Sequence, residues 1–300
     1  MKTLLPFFAW LLWLIAAGPA LLQSNWEIAL LLFAAWMLVP PGLSLLRLPV
    51  QSLYWLTVFA LSLAYYLTDA PASWRGLLAL PYVGLSAWIT IRELTQLFTL
   101  PKIQLPDIVR VAATAYWSTG AVWALCFLTG FRPLDFDLVI VSLTAAHFHV
   151  AGFVLAVVAY RMLLAAPGRV TEISGWGVLA GMPSVAAGIT LTKLGYAPAF
   201  EWVAALLFVL FTAVIVAWHV SKWPDKKYTH AARRYWLGGA FCLLAGILLA
   251  SLYALRFMYP VEWVHIPNMK IWHGTLNTLG FAWLTLRGWQ FVISYRLVIG

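Results

Sequence analysis

The feature that most constrains this chain is a succession of apolar runs, each about 20 residues long, recurring from one end of the sequence to the other. A run of that length spans about 30 Å of hydrocarbon as a helix. In hydrocarbon every backbone N–H and C=O must find a partner, and a helix supplies one within its own segment. Composition points the same way: 63% of the residues are hydrophobic and 10% charged, where soluble domains carry roughly a quarter charged. The expected class is all-α, a polytopic transmembrane helix bundle of about ten spans, forming a single integral membrane domain over residues 1–300. The spans fall near residues 4–22, 26–46, 51–68, 76–97, 109–130, 138–160, 172–192, 199–220, 236–257 and 271–293.

Charge orients these spans. With the N-terminus cytoplasmic, the outer connections carry only Arg75, Arg132, Lys193, Arg256 and Lys270. The remaining 14 of the 19 Lys and Arg, Lys2 and Arg296 among them, fall inside. That bias follows the positive-inside rule and puts both termini in the cytoplasm. A basic inner surface facing anionic lipid accounts for the net charge of +9, and no nucleic-acid partner is needed. The expected location is the cell membrane, multi-pass, with the lipid bilayer as the first partner.

The first run reads as a spanning helix and not as a cleaved signal peptide. It is longer than a usual signal core, contains Trp10 and Trp13, and lacks a small-x-small cleavage site. Cys126 and Cys242 lie inside apolar runs, where a thiol acts as a small hydrophobe, and no disulfide framework is expected. Trp26, Trp74, Trp202, Trp236 and Trp263 lie near span ends and read as an interfacial aromatic belt. Asp69, Asp135, Asp137, Glu201 and Glu262 read as solvated charges at the outer surface. Glu93, near the inner end of the fourth span, reads as the partner of Arg92 or Arg110, with membership of a proton path as the alternative.

Ionisable groups at mid-membrane depth are expensive and usually functional. Two segments carry them: Ala146-His147-Phe148-His149-Val150-Ala151-Gly152-Phe153, and His273-Gly274-Thr275-Leu276-Asn277-Thr278-Leu279-Gly280-Phe281. Counted from Asp137, His147 and His149 lie about 15–18 Å deep. Two residues apart on a helix, their imidazoles point to nearly opposite sides. His149, Gly152, Phe153 and Ala156 share one stripe; Thr144, His147, Ala151 and Val154 share the other. Asn277 stands one turn deeper than His273 on the same face. A histidine–asparagine face that approaches the sixth helix would polarise a carbonyl, orient a water or hold a substrate hydroxyl. The candidate catalytic residues are therefore His147, His149, His273 and Asn277; the competing reading makes each histidine a hydrogen-bonding link between helices.

The two segments, in a wholly hydrophobic chain, resemble the YndJ-like family of bacterial multi-spanning membrane proteins. The resemblance covers Ala146 to Phe153 and His273 to Phe281; it implies a bacterial inner-membrane location and carries a transporter role without conferring a reaction. His-Phe-His also resembles the haem-binding histidines of haem-copper oxidases. Those enzymes need further histidines, whereas this chain has six, of which His219, His230 and His265 lie near span ends or in loops. A bis-histidine haem would use His147 or His149 with His273. Zinc, copper or iron are open to imidazole ligands, but no carboxylate stands at a recognisable ligand spacing from a histidine.

Three functions follow: an acid–base enzyme acting on a lipid-soluble small molecule, a haem- or metal-binding redox protein, and a small-solute transporter. Internal repeats and broken helices would favour the last. Pro81 and Pro183 interrupt comparable runs, yet no repeat stands out in the sequence. Nothing in it names a cofactor or an oligomeric state.

Overall fold

A computed structural model describes residues 4–49 and 52–299, with side chains from Trp10 to Ser294 except at 50 and 51. Lys2 and the Arg296 side chain lie outside the described residues. The described residues are helical with no strand. They form ten helical runs: α1 (Leu4–Leu22), α2 (Trp26–Leu45), α3 (Ser52–Tyr66), α4 (Ala72–Leu97), α5 (Leu105–Thr129), α6 (Leu138–Ala165), α7 (Arg169–Lys193), α8 (Ala199–Ser221), α9 (His230–Ala254), and α10, which joins Ile266–Thr275, Leu276–Ala282 and Trp283–Ile299. Among the described residues seven of these are long and apolar enough to cross a membrane; Trp10–Leu22 and Ser52–Tyr66 are apolar but shorter.

The chain packs as two compact units, Met1–Val154 and Leu155–Gly300. In the first unit α2 is the buried centre. Pro40 and Pro41 lack the amide hydrogens that an α-ladder would aim at the carbonyls of Trp36 and Met37, and the helix widens just before them into a π segment, Ala34–Leu38. Side chains from neighbouring helices tie down α2. The Trp13 indole donates to the Ala29 carbonyl (2.9 Å), the Trp36 indole to the Ser62 hydroxyl (2.9 Å), and the Tyr54 hydroxyl to the Ala35 carbonyl.

In the second unit α7 and α8 approach closely because α7 presents glycine. Gly177 and Gly181 face Phe211 and Phe208, and a Cβ at Gly188 would stand 2.8 Å from the Glu201 Cα. At the far end of α8, Trp218, His219, Trp236 and Trp289 form a buried aromatic cluster, with the Trp236 and Trp289 rings 4.6 Å apart. Trp236 is thus a core residue and not part of an interfacial belt. Its position near the start of a span hid this, since either role places a tryptophan there.

Two further π segments, Phe148–Val154 in α6 and Leu276–Ala282 in α10, coincide with the two motifs singled out in the sequence. Single-turn π segments inside α-helices occur often at functional sites.

Candidate functional site

In the first motif, side chains bond back onto the helix just ahead of the widened turn. His147 Nδ1 lies 2.7 Å from the Leu143 carbonyl and His149 Nδ1 lies 2.8 Å from the Ala145 carbonyl. A carbonyl carries no hydrogen, so both nitrogens must be N–H donors. Such bonds occupy carbonyls four residues back that the α-ladder would otherwise use, which favours the wider turn.

The two imidazoles then meet different surroundings. His147 is exposed. His149 is fully buried and stacks on Tyr82 of α4, ring centroids 6.0 Å apart. With Nδ1 protonated, its Nε2 is an acceptor, and the Tyr82 hydroxyl donates to it at 3.0 Å. The same hydroxyl accepts from the Trp117 indole of α5 at 2.8 Å. Every polar atom of the chain Trp117–Tyr82–His149–Ala145 therefore has a partner, as a buried network requires. The seat for His149 is Gly120, where a Cβ would stand 2.5 Å from Nδ1, and one turn earlier Tyr116 lies against Gly152.

The stripe containing His149, Gly152, Phe153 and Ala156 is buried throughout. On the other, Thr144 and Ala151 are half-buried and His147 exposed, but Val154 is buried, because from Gly152 to Leu163 the helix is buried on every face.

In the second motif, His273 and Asn277 come together on one face as their spacing predicts. Asn277 Nδ2 donates to the His273 carbonyl at 2.8 Å, and the Thr275 hydroxyl donates to the Ile271 carbonyl. His273 Nδ1 lies 2.9 Å from the Gly246 carbonyl of α9 and must be its donor. The 3.2 Å approach of Asn277 Nδ2 to the same nitrogen is then a contact between two donor groups. Both side chains are half-buried. The Asn277 amide lies flat on Gly246, where a Cβ would stand 2.7 Å from either of its polar atoms, and Cys242 lies against Gly280.

The two motifs are built alike. At a constant offset of 128 residues, His147, His149, Gly152 and Phe153 correspond to Thr275, Asn277, Gly280 and Phe281, and each π segment has seven residues. On the helix each motif packs against, Tyr116 and Gly120 correspond to Cys242 and Gly246 at an offset of 126. The back-bonds to Leu143 and Ala145 recur at Ile271 and His273. Helices α5 and α6 thus find counterparts in α9 and α10.

The sequence signal for this repeat was present but hidden by matching histidine to histidine. Matched on Gly-Phe, Asn277 stands opposite His149, and His273 opposite Ala145.

Of the other candidates, Glu93 is buried between Arg110 (2.7 Å) and Arg92 (3.1 Å), which supports the ion-pair reading. Asp135 and Asp137 are exposed beside Arg132, and Asp69 and Glu262 are exposed. Glu201 departs from expectation: it is 6% exposed and pairs with Arg256 at 2.5 Å. Folding α7 against the start of α8 buries a carboxylate that the sequence places at the surface. Among the described residues no group of three His, Cys, Asp or Glu is arranged to hold a metal ion. Two hollows, about 420 Å³ at Ala231, Arg234, Tyr235 and Leu284 and about 140 Å³ around Gln23, Tyr65 and Arg75, are not lined by motif residues.

A family model described as YndJ-like protein matches residues 29–281, a span that includes both motifs, and the chain belongs to the YndJ-like family. No curated protein and no solved structure matches it. Family membership and seven apolar helices of sufficient length are consistent with a membrane protein.

Proposed function

We propose that this chain is a multi-pass protein of the bacterial inner membrane, with all ten helices crossing, both termini cytoplasmic and residues 1–300 forming one integral membrane domain. In this reading it acts on a lipid-soluble small molecule by acid–base chemistry at its intramembrane histidine motifs, with the hydrophobic molecule reaching the protein from the bilayer.

The observation that carries the proposal is the fixed tautomer of His273. Its Nδ1–H is committed to the Gly246 carbonyl, so Nε2 carries the lone pair of a general base on a half-buried side chain. Asn277, held by the His273 carbonyl, orients what His273 deprotonates. His149 has both nitrogens engaged and acts in this scheme by setting the π turn, while His147 supplies a second titratable group. The same engagement of His149 argues against its use as a haem ligand.

The test replaces His273 and His149 separately and compares the lipid and isoprenoid profiles of the strains. Loss of one conversion in the His273→Ala strain is the expected outcome, and profiles identical to wild type in both strains would remove the enzyme reading. The repeat supports a second reading, a small-solute transporter, because glycine-interrupted helices at corresponding positions of two halves are a hallmark of transporter binding sites. Uptake by proteoliposomes that vanishes with Gly246→Ala would favour it over the enzyme.

A further inference from the structure

The hollow of about 140 Å³ in the first unit has a chemistry that neither motif shares. It lies at one end of the helices: α1 and α3 finish there, α2 and α4 begin, and Phe127 and Leu128 bring in the last turn of α5. Its walls carry the polar side chains of Gln23, Asn25, Tyr65, Thr68 and Arg75, and no acidic one. Two of these hold hydrogens that nothing in the fold takes up. Tyr65 is 7% exposed and stacks on Phe127, ring centroids 5.8 Å apart, yet its buried hydroxyl makes no hydrogen bond among the described residues. The Arg75 Nε is buried in the same condition, and no carboxylate among the described residues pairs with that guanidinium. Arg132 and Arg256, also expected on the outer side, are each paired with a carboxylate; Arg75 is not. A buried donor without an acceptor costs stability, and a charged one more than a neutral one.

The ligand class follows from these groups. A guanidinium has N–H donors and no acceptor, so what meets it must present lone pairs, and its charge calls for a negative one. Its N–H groups form a fork that matches two oxygens of a carboxylate or phosphate. Gln23 adds a donor: its Oε1 accepts from Asn25 Nδ2 at 3.3 Å, which leaves its own amide hydrogens to give. Helices α2 and α4 both begin beside the hollow without a side-chain cap, and helix N-termini favour negative charge. Glu27, buried in the first turn of α2, acts electrostatically on Tyr65 but does not line the hollow. With one positive charge in the walls and this negative charge near them, a singly charged ligand fits better than a doubly charged one. The volume is well above the roughly 15 Å³ that one water needs.

We infer that the first unit binds a singly charged oxyanion, a carboxylate or a phosphodiester, in the hollow between Arg75 and Tyr65. Arg75 pairs with its oxygens, and the Tyr65 hydroxyl and the Gln23 amide donate to them. This site is separate from the His273–Asn277 site and does not depend on chemistry there. Its place at the helix ends allows two sources for the same group, a soluble carboxylate from the aqueous side and the phosphate of a lipid headgroup.

The test follows thermal unfolding of the full-length protein, delipidated in dodecyl maltoside, at neutral pH and constant ionic strength, as acetate, acetamide or dihexanoyl phosphatidylglycerol is added. Acetate and the phospholipid should raise Tm saturably, and acetamide, alike in shape but uncharged, should not. Arg75→Gln should weaken both anions about tenfold or more. Tyr65→Phe, which keeps the stacked ring, should weaken them about fivefold and leave the ligand-free Tm unchanged, since the hydroxyl bonds to nothing in the fold. Phospholipid binding about tenfold tighter than acetate, with the advantage lost in Arg75→Gln, identifies a lipid headgroup as the source; any smaller advantage identifies a soluble carboxylate. No saturable shift with either anion, an equal shift with acetamide, or a shift that persists in Arg75→Gln would overturn the inference. The acetate–acetamide comparison needs no variant, so a variant that fails to fold does not shield it.

Discussion

The two π-helical motifs share a backbone plan and differ in what fills it. Around His149 the plan is closed by Tyr82 and Trp117, side chains that complete every hydrogen bond in a fully buried place. Around Asn277 the place is half-buried, with a histidine added one turn earlier and Leu243 where the indole stood. The same geometry therefore serves as a fully buried structural joint in one unit and is only half-buried in the other. The polar residue that catches the eye, the buried mid-helix histidine, is the one with least left to do chemically.

The contrast is most exposed at the glycine seats. Gly120→Ala should destabilise the protein by about 3 kcal/mol, because a Cβ 2.5 Å from a fully buried, doubly bonded imidazole has no room to be accommodated. Unfolding of the reconstituted protein measures it, and a loss below about 1 kcal/mol would mean the closed copy is less rigid than described. Tyr82→Phe comes next, at about 2 kcal/mol, since it strands both the His149 acceptor and the Trp117 indole hydrogen. Gly246→Ala should cost only about 1 kcal/mol, the half-buried Asn277 amide being able to swing aside, yet abolish ligand binding or turnover. Equal costs at Gly120 and Gly246 would erase the distinction between a closed and an open copy. The smallest effect belongs to His147→Thr, which installs the residue found at the corresponding position 275 and should leave stability within about 0.5 kcal/mol.

Much of this was legible in the residues. Apolar length marked the ten stretches that the helices occupy, the four-residue spacing put His273 and Asn277 on one face, and the arginines at the inner ends of the fourth and fifth spans marked Glu93 as an ion-pair partner. What escaped has a physical reason in each case. A 3.6-residue count assumes an unbroken α-ladder and does not announce the π segments at Phe148–Val154 and Leu276–Ala282. Depth alone does not distinguish an interfacial tryptophan from a core one, which is why Trp236 read as belt, and Glu201 is buried by tertiary approach at Gly188 that no local pattern announces. The repeat escaped because chemistry was matched in place of geometry: Thr275 and Asn277 do for their carbonyls what His147 and His149 do for theirs.

The widened turn in α10 also works as a phase shifter. An unbroken α-ladder carrying the same residues would swing everything beyond it by about 100° relative to what comes before. Phe281 and Trp289, both buried, would leave the faces they now occupy, and the aromatic cluster at Trp218 and Trp236 would lose a member. The π turn thereby absorbs a spare residue without turning half a helix, and losing the turn while keeping that residue would scramble the core far from the side chains that a functional screen would watch.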